Sequence, residues 1–193
     1  MLKSIQYALG VLAFAGCANA SSLTVNVYNI ENTSENQGSS LTFSGAPTMS
    51  RTLSAGDHGF YLDWDGPVSP GDVPSGVNIL GGFPPQNGQT RFGSDYRGEL
   101  HVAKGGSYPI TFGADDAGYL FIDGALVAST PGSHGIYFVT PIVSLAAGSH
   151  KFDIQSANWV CCKAIVAFYT PAGVTLAAPP AAHPRHMRHK RHM

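Results

Sequence analysis

Between residues 97 and 168 apolar side chains return at every second position in short runs, and turn residues end each run. A period of two lines one face of an extended strand, so this pattern commits the chain to antiparallel sheet with one side buried. Leu100 and Val102 share a face of 98–103, after which Lys104-Gly105-Gly106-Ser107 turns the chain. Tyr108, Ile110 and Phe112 share a face of the next run, and Leu120 and Ile122 point one way in 118–122. Asp123-Gly124 is a two-residue hairpin signal, because both residue types tolerate positive φ, and 125–128 returns from it. The run 136–145 contains Pro141, which restricts a strand to an edge or a bulge. Ala147-Gly148-Ser149 leads into 150–155 with Phe152 and Ile154 inward, and Ala164, Val166 and Phe168 mark the last strand. No stretch beyond the first twenty residues keeps a helical period. The expected fold is all-β, an antiparallel β-sandwich.

The N-terminal half carries a weaker version of this signal. Residues 23–28 alternate like a first strand and 60–64 like another, whereas 65–89 is crowded with Gly and Pro and reads as long loops. Only 12% of the 193 residues are Asp, Glu, Lys or Arg, which excludes a charged coiled coil or a highly charged disordered chain. A body of this size can bury most of its unfolded surface, so it needs no metal or disulfide merely to fold.

Both ends read as separable. Lys3, the apolar run 8–16 and Ala18-Asn19-Ala20 form a secretory signal pattern with a cut after Ala20. The apolar run is too short to cross a bilayer, so no membrane span is expected. The protein is expected to be secreted or at the cell surface. Phe14-Ala15-Gly16-Cys17 also resembles a lipobox, in which Cys17 would be acylated. Residues 21–176 form the body, with six Lys or Arg against twelve Asp or Glu. Residues 177–193 are a Pro/Ala spacer followed by His183, His186, His189 and His192 among Arg185, Arg188, Lys190 and Arg191. That tail reads as a solvated, disordered extension, as a transition-metal chelator or as an attachment to an anionic surface. An acidic body argues against nucleic acid as a partner.

Asp115-Asp116 follows a run that looks buried and precedes Ala117-Gly118. Adjacent side chains of a strand point to opposite faces, so two neighbouring Asp share one ion only if the backbone bends. A cis peptide between them would solve that geometry. Two carboxylates held together repel unless a cation separates them, and oxygen donors favour calcium, which takes six to eight of them. The same residues also suit a tight turn whose carboxylates accept backbone N–H bonds.

The run from Gly98-Glu99-Leu100-His101-Val102 through Gly106–Phe112 and Ala114-Asp115-Asp116-Ala117-Gly118 to Ile122-Asp123-Gly124 resembles the protective-antigen-type module. Anthrax toxin gave that module its name, and yeast flocculins, bacterial adhesins and some glycosidases share it. The resemblance continues through Leu145–Ile154 and is loose in the N-terminal half. It implies a β-sandwich, and in lectin members a calcium ion held by the Asp pair, an Asn of a later loop and carbonyls of that loop. Sugar hydroxyls complete the shell. Carried over residue by residue, the ligands are Asp115, Asp116 and Asn158 by side chain and Val160 and Cys162 by carbonyl. Beside them Trp159 offers a ring that could stack on an apolar sugar face. The implied partner is a glycan or cell-surface carbohydrate and the implied cofactor calcium. Some members keep the scaffold without lectin activity, so a surface or matrix protein making protein contacts is the alternative.

Asp123 reads as a hairpin residue, and Trp159 suits the core as well as a sugar. Asp63-Trp64-Asp65-Gly66 reads as a turn because the rest of a calcium loop is absent. With the signal removed, Cys161 and Cys162 are the remaining thiols; they suit a vicinal disulfide, pairing with another chain, or burial as free thiols. The sequence has no G-x-S-x-G, H-E-x-x-H or phosphate-loop motif, and no enzyme is expected. Asp57, Asp63, Asp65 and Asp72 could serve glycoside hydrolysis only in principle, since Asp-rich loops are commonplace. Sugar choice would rest with the loops around 30–50, 65–90 and 129–135.

Overall fold

The computed structural model describes residues 21–64, 73–81, 91–160 and 164–177. The signal segment, the tail beyond residue 177, Asp65, Gly66, Asp72, Cys161 and Cys162 lie outside the described residues, and with them the expected disulfide and the Cys162 carbonyl.

The described chain is built from strands. They are β1 (Ser21–Asn29), β2 (Thr33–Glu35), β3 (Leu41–Phe43), β4 (Met49–Ala55), β5 (Gly59–Asp63), β6 (Asn78–Gly81), β7 (Phe92–Val102) and β8 (Gly106–Pro109). There follow β9 (Thr111–Asp115), β10 (Ala117–Ile122), β11 (Ala125–Thr130), β12 (Tyr137–Val139), β13 (Ile142–Leu145), β14 (Gly148–Asn158), β15 (Ile165–Tyr169) and β16 (Val174–Leu176). One sheet runs β11-β10-β14-β7-β1-β4, with β16 also paired to β7, and the other runs β12-β9-β15-β5-β6.

Alternation accounts for the core between these sheets. Leu23, Val25 and Val27 of β1 are at most 2% exposed and pack with Tyr96, Leu100, Phe112, Ile154 and Phe168. Burying such side chains contributes about 1.5–3 kcal/mol each relative to exposure. A small polar chain crosses this core: Ser94 Oγ bonds Ser156 Oγ at 2.8 Å and donates to the Tyr96 hydroxyl, which also accepts from Trp64 Nε1. Burial pushes the Tyr96 hydroxyl up to about 12.

The sequence pattern holds where a strand buries one face. Asp123 and Gly124 both take positive φ in the β10–β11 hairpin. Two expected strands are each divided. The run containing Tyr108, Ile110 and Phe112 splits at Ile110 into β8 and β9, because the chain passes from a small two-stranded sheet into the five-stranded one. The run 136–145 divides the same way: β12 joins β9 at a sheet edge, β13 joins β8, and Pro141 lies between. The stretch 65–89, expected to be loop, contains β6, which pairs parallel with β5, so the sandwich is not wholly antiparallel.

Against the outer face of the seven-stranded sheet sits the β2–β3 hairpin. It buries Ile30 and Leu41 against Tyr119, Ala117 and Ala157, with Phe121 and Trp159 beside them. The backbone of Leu41 donates to Gln155 Oε1 at 2.8 Å. Gly93 underlies the hairpin because any Cβ there would come within 2.3 Å of Thr33 Oγ1.

Candidate functional site

Three connections pass from one sheet to the other at a single pole of the sandwich: Asp115-Asp116 from β9 to β10, 131–136 from β11 to β12, and the one that begins at Trp159 from β14 to β15. The long strands place them together. Ala117 pairs with Ala157, so one residue further on each strand Asp116 and Asn158 lie side by side. Ile165 pairs with Asp115, which brings the start of β15 to the same level. The start of β1 and the end of β16 lie at the other pole, where Ser21 Oγ donates to the Leu176 carbonyl at 2.5 Å.

The peptide bond between Asp115 and Asp116 is cis. Asp115 is half-buried; Asp116 and Asn158 are 5% and 3% exposed. Asp116 Oδ1 accepts from the Ser133 hydroxyl and the His134 N–H, each at 3.1 Å. Its Oδ2 accepts from the N–H groups of Trp159 at 2.7 Å and Val160 at 3.2 Å. One carboxylate thereby fastens two loops that follow it by about 17 and 43 residues. A carboxylate offers about four lone-pair sites, and in this arrangement all are used.

Neighbouring groups extend the cluster. Glu35 Oε1 accepts from the Gly132 N–H at 2.9 Å and from the Tyr119 hydroxyl, joining the hairpin to the loop. Burial and the adjacent Glu35 push the Tyr119 hydroxyl upward. Arg91 Nε donates to the Trp159 carbonyl at 2.6 Å. The His134 ring meets the 57% exposed Tyr137 edge-on.

Asp115, Asp116, Asn158, Trp159 and Val160 therefore share one pole. Trp159 is half-buried against the hairpin cluster, and Val160 is 52% exposed. Asp123 is at the other pole in its hairpin, where Oδ2 meets His150 Nδ1 at 2.6 Å and Oδ1 accepts the Lys151 N–H. Asp63 and Trp64 are buried at the end of β5. Sequence reasoning did not single out Ser133, His134, Glu35 or Arg91 individually. Nothing in their spacing marks them, since they reach Asp116 and its loops only through the sheet crossings.

The donor chemistry suits a hard cation. Asp115, Asp116 and Asn158 offer only oxygens as side-chain ligands, as calcium prefers. Among the described residues no three His, Cys, Asp or Glu side chains gather, so an ion here would depend on Asn158 and main-chain carbonyls. It would also have to displace some of the four donors on Asp116.

No protein-family profile matches the sequence, and no curated protein matches it. Solved structures similar to the chain include the PA14 domain of the MpAFP antifreeze protein, at 16% identity and TM-score 0.47, covering 83% of each chain. The PA14 sugar-binding domain from an RTX adhesin is 15% identical with TM-score 0.46, over 82% of this chain and 95% of that one. A β-glucosidase from Kluyveromyces marxianus in complex with glucose is 13% identical with TM-score 0.45; the match covers 81% of this chain and spans 17% of the enzyme. PA14 is the protective-antigen-type module whose motifs the sequence resembles.

Proposed function

We propose that this is an exported, calcium-dependent carbohydrate-binding module that serves adhesion to glycans at the cell surface or outside the cell. The observation that supports it is the meeting of Asp115 and Asp116 with Asn158, 43 residues further along the chain from Asp115, at the pole remote from the start of β1 and the end of β16. Asp115, Asp116 and Asn158 would hold calcium by side chain, and the Val160 and Cys162 carbonyls would complete the protein's share. Calcium supplies an open coordination position at which water exchanges for a vicinal diol. The protein supplies orientation: the loops fastened to Asp116 set the ligand direction, and Trp159 offers an aromatic face to a sugar ring. No catalytic step belongs to this reading.

Glycan-array retention of the full chain tests it. Retention in calcium, loss in chelator and loss in Asp116→Ala and Asn158→Ala are expected. Binding that is unchanged in chelator overturns the calcium assignment.

One observation favours the second reading, a surface or matrix protein that uses the scaffold for protein contacts. Both oxygens of Asp116 are already occupied by hydrogen-bond donors, which suits a loop clamp that needs no ion. Under that reading calcium leaves the melting temperature unchanged and the array stays blank.

A further inference from the structure

Both sheets end on the same flank of the sandwich. β11 is the outermost strand of the seven-stranded sheet and β12 of the five-stranded one, and the two pack side by side. Among the described residues six large apolar side chains are exposed, and five of them belong to this flank and the strand that follows: Leu126, Ile136, Tyr137, Phe138 and Ile142, the last 67% exposed. No Asp, Glu, Lys or Arg occurs from 124 to 149, the longest uncharged run in residues 21–176. The hydroxyls beside the apolar side chains are engaged within the chain, Thr140 with Thr111 at 3.0 Å and Ser144 with Ser107 at 3.2 Å.

The opposite end of the seven-stranded sheet is built differently. There β4 exposes Ser50, Arg51, Thr52 and Ser54, and polar or charged side chains on an edge discourage pairing with another chain. β12 lacks that protection, and among the described residues β9 is its one strand neighbour. Its central side chain is already ordered. A Cβ on Gly113 would come within 2.6 Å of the Phe138 ring, which also stacks on Tyr169 with centroids 6.3 Å apart. A contact made through a fixed ring costs less entropy than one made through a mobile side chain.

Charge selects the occupant. Residues 21–176 hold twelve Asp or Glu against six Lys or Arg, so two such bodies repel wherever their acidic faces meet. A flank without charge is where they touch without opposing like charges, whereas a basic partner would find its attraction elsewhere on the body. The edge also suits a twofold axis. Antiparallel pairing of β12 with its counterpart about Phe138 sets Phe138 beside Phe138 and Tyr137 beside Val139 across the axis, a self-complementary contact. We propose that this flank is the interface of a twofold-symmetric dimer of the chain, centred on Phe138 of β12 with Tyr137 and Ile142 beside it. The inference is independent of calcium and sugar binding.

Sedimentation equilibrium of the full chain over a range of concentrations tests it. The mass should approach twice that of one chain, with a Kd below about 100 μM. Raising salt from about 20 mM to about 500 mM should tighten the dimer at least about three-fold, because screening removes the repulsion between two acidic bodies. Phe138→Glu and Ile142→Glu should each weaken it at least about ten-fold by opposing two carboxylates across the axis. Thr52→Glu, on the opposite flank, should leave it unchanged. Ile142 is the more exposed of the two, so its variant decides the matter if Phe138→Glu disturbs the packing over Gly113. A monomer at every concentration overturns the proposal. So does a dimer that survives Ile142→Glu, or one that weakens as salt is raised, which would assign association to oppositely charged groups.

Discussion

Asp116, just before β10, and Asp153, in the neighbouring β14, belong to one sheet but face opposite surroundings. Asp116 is ringed by four donors, three of them main-chain N–H groups. Asp153 faces Asp95 across the strand pair, with Arg97 shared between them. Burial and the adjacent Asp95 push Asp153 up to about 7. A carboxylate surrounded by peptide dipoles is stabilised as an anion without any cation and becomes a structural tie. One set beside another carboxylate is left short of positive charge, which a proton or a cation must supply.

The largest effect should come from breaking the tie. Asp116→Ala leaves buried N–H groups without an acceptor and frees two loops. A loss of about 3 kcal/mol is expected, read as a drop of several degrees in melting temperature. Asp116→Asn retains one acceptor oxygen and should lose roughly half as much. A melt within a degree of the parent would show that the loops are held by other contacts.

On the Asp153 side, Arg97→Gln removes the partner of the buried Asp95 and should cost about 2 kcal/mol at pH 7, measured by urea denaturation. Asp153→Asn has the opposite sign. Its pKa is raised by folding, so the native state binds more protons and stability falls as pH rises from about 4 to about 7. The variant should therefore be more stable at pH 8 by about 1 kcal/mol after allowance for partial exposure, and its stability should change less between pH 4 and 7. An unchanged pH profile would mean that Asp153 is already neutralised by a cation.

The smallest effect belongs to the Asp123–His150 pair at the turn pole. Hydrogen bonding between the two side chains lowers Asp123 and raises His150. The His150 contribution is present below about pH 6.5 and fades as pH rises through its raised value; that of Asp123 is present above about 3.8 and fades as pH falls through its lowered value. His150→Ala should cost under about 1 kcal/mol near pH 5.5 and less at pH 9.

How far these features could be read beforehand depended on whether a residue's role was local. The Asp123-Gly124 turn needs only two residues that accept positive φ, and both adopt it. Leu100, Val102, Phe152 and Ile154 were legible as inward-facing because alternation alone assigns a face. Strands β8 and β9 were read as one because a passage between sheets leaves the alternation intact. β6 was missed because a four-residue strand among glycines and prolines has no period of its own. At the site, Asp115, Asp116, Asn158 and Trp159 were legible through a motif resemblance. The donors Ser133 and His134 were not, because a hydroxyl and an N–H carry no spacing signal.

By itself the sequence determined the all-β character, the inward rows of the core strands, the hairpin at 123–124 and the acidic body with its basic tail. These follow from side-chain period, backbone preference and charge count, all properties of neighbours along the chain. Only the tertiary structure decided that Asp116 ties two distant loops, that Asp153 confronts Asp95, and that the start of β1 and the end of β16 meet opposite the candidate site. Such relations depend on sheet order and register, which bring residues together across more than a hundred positions and leave no mark on the local sequence.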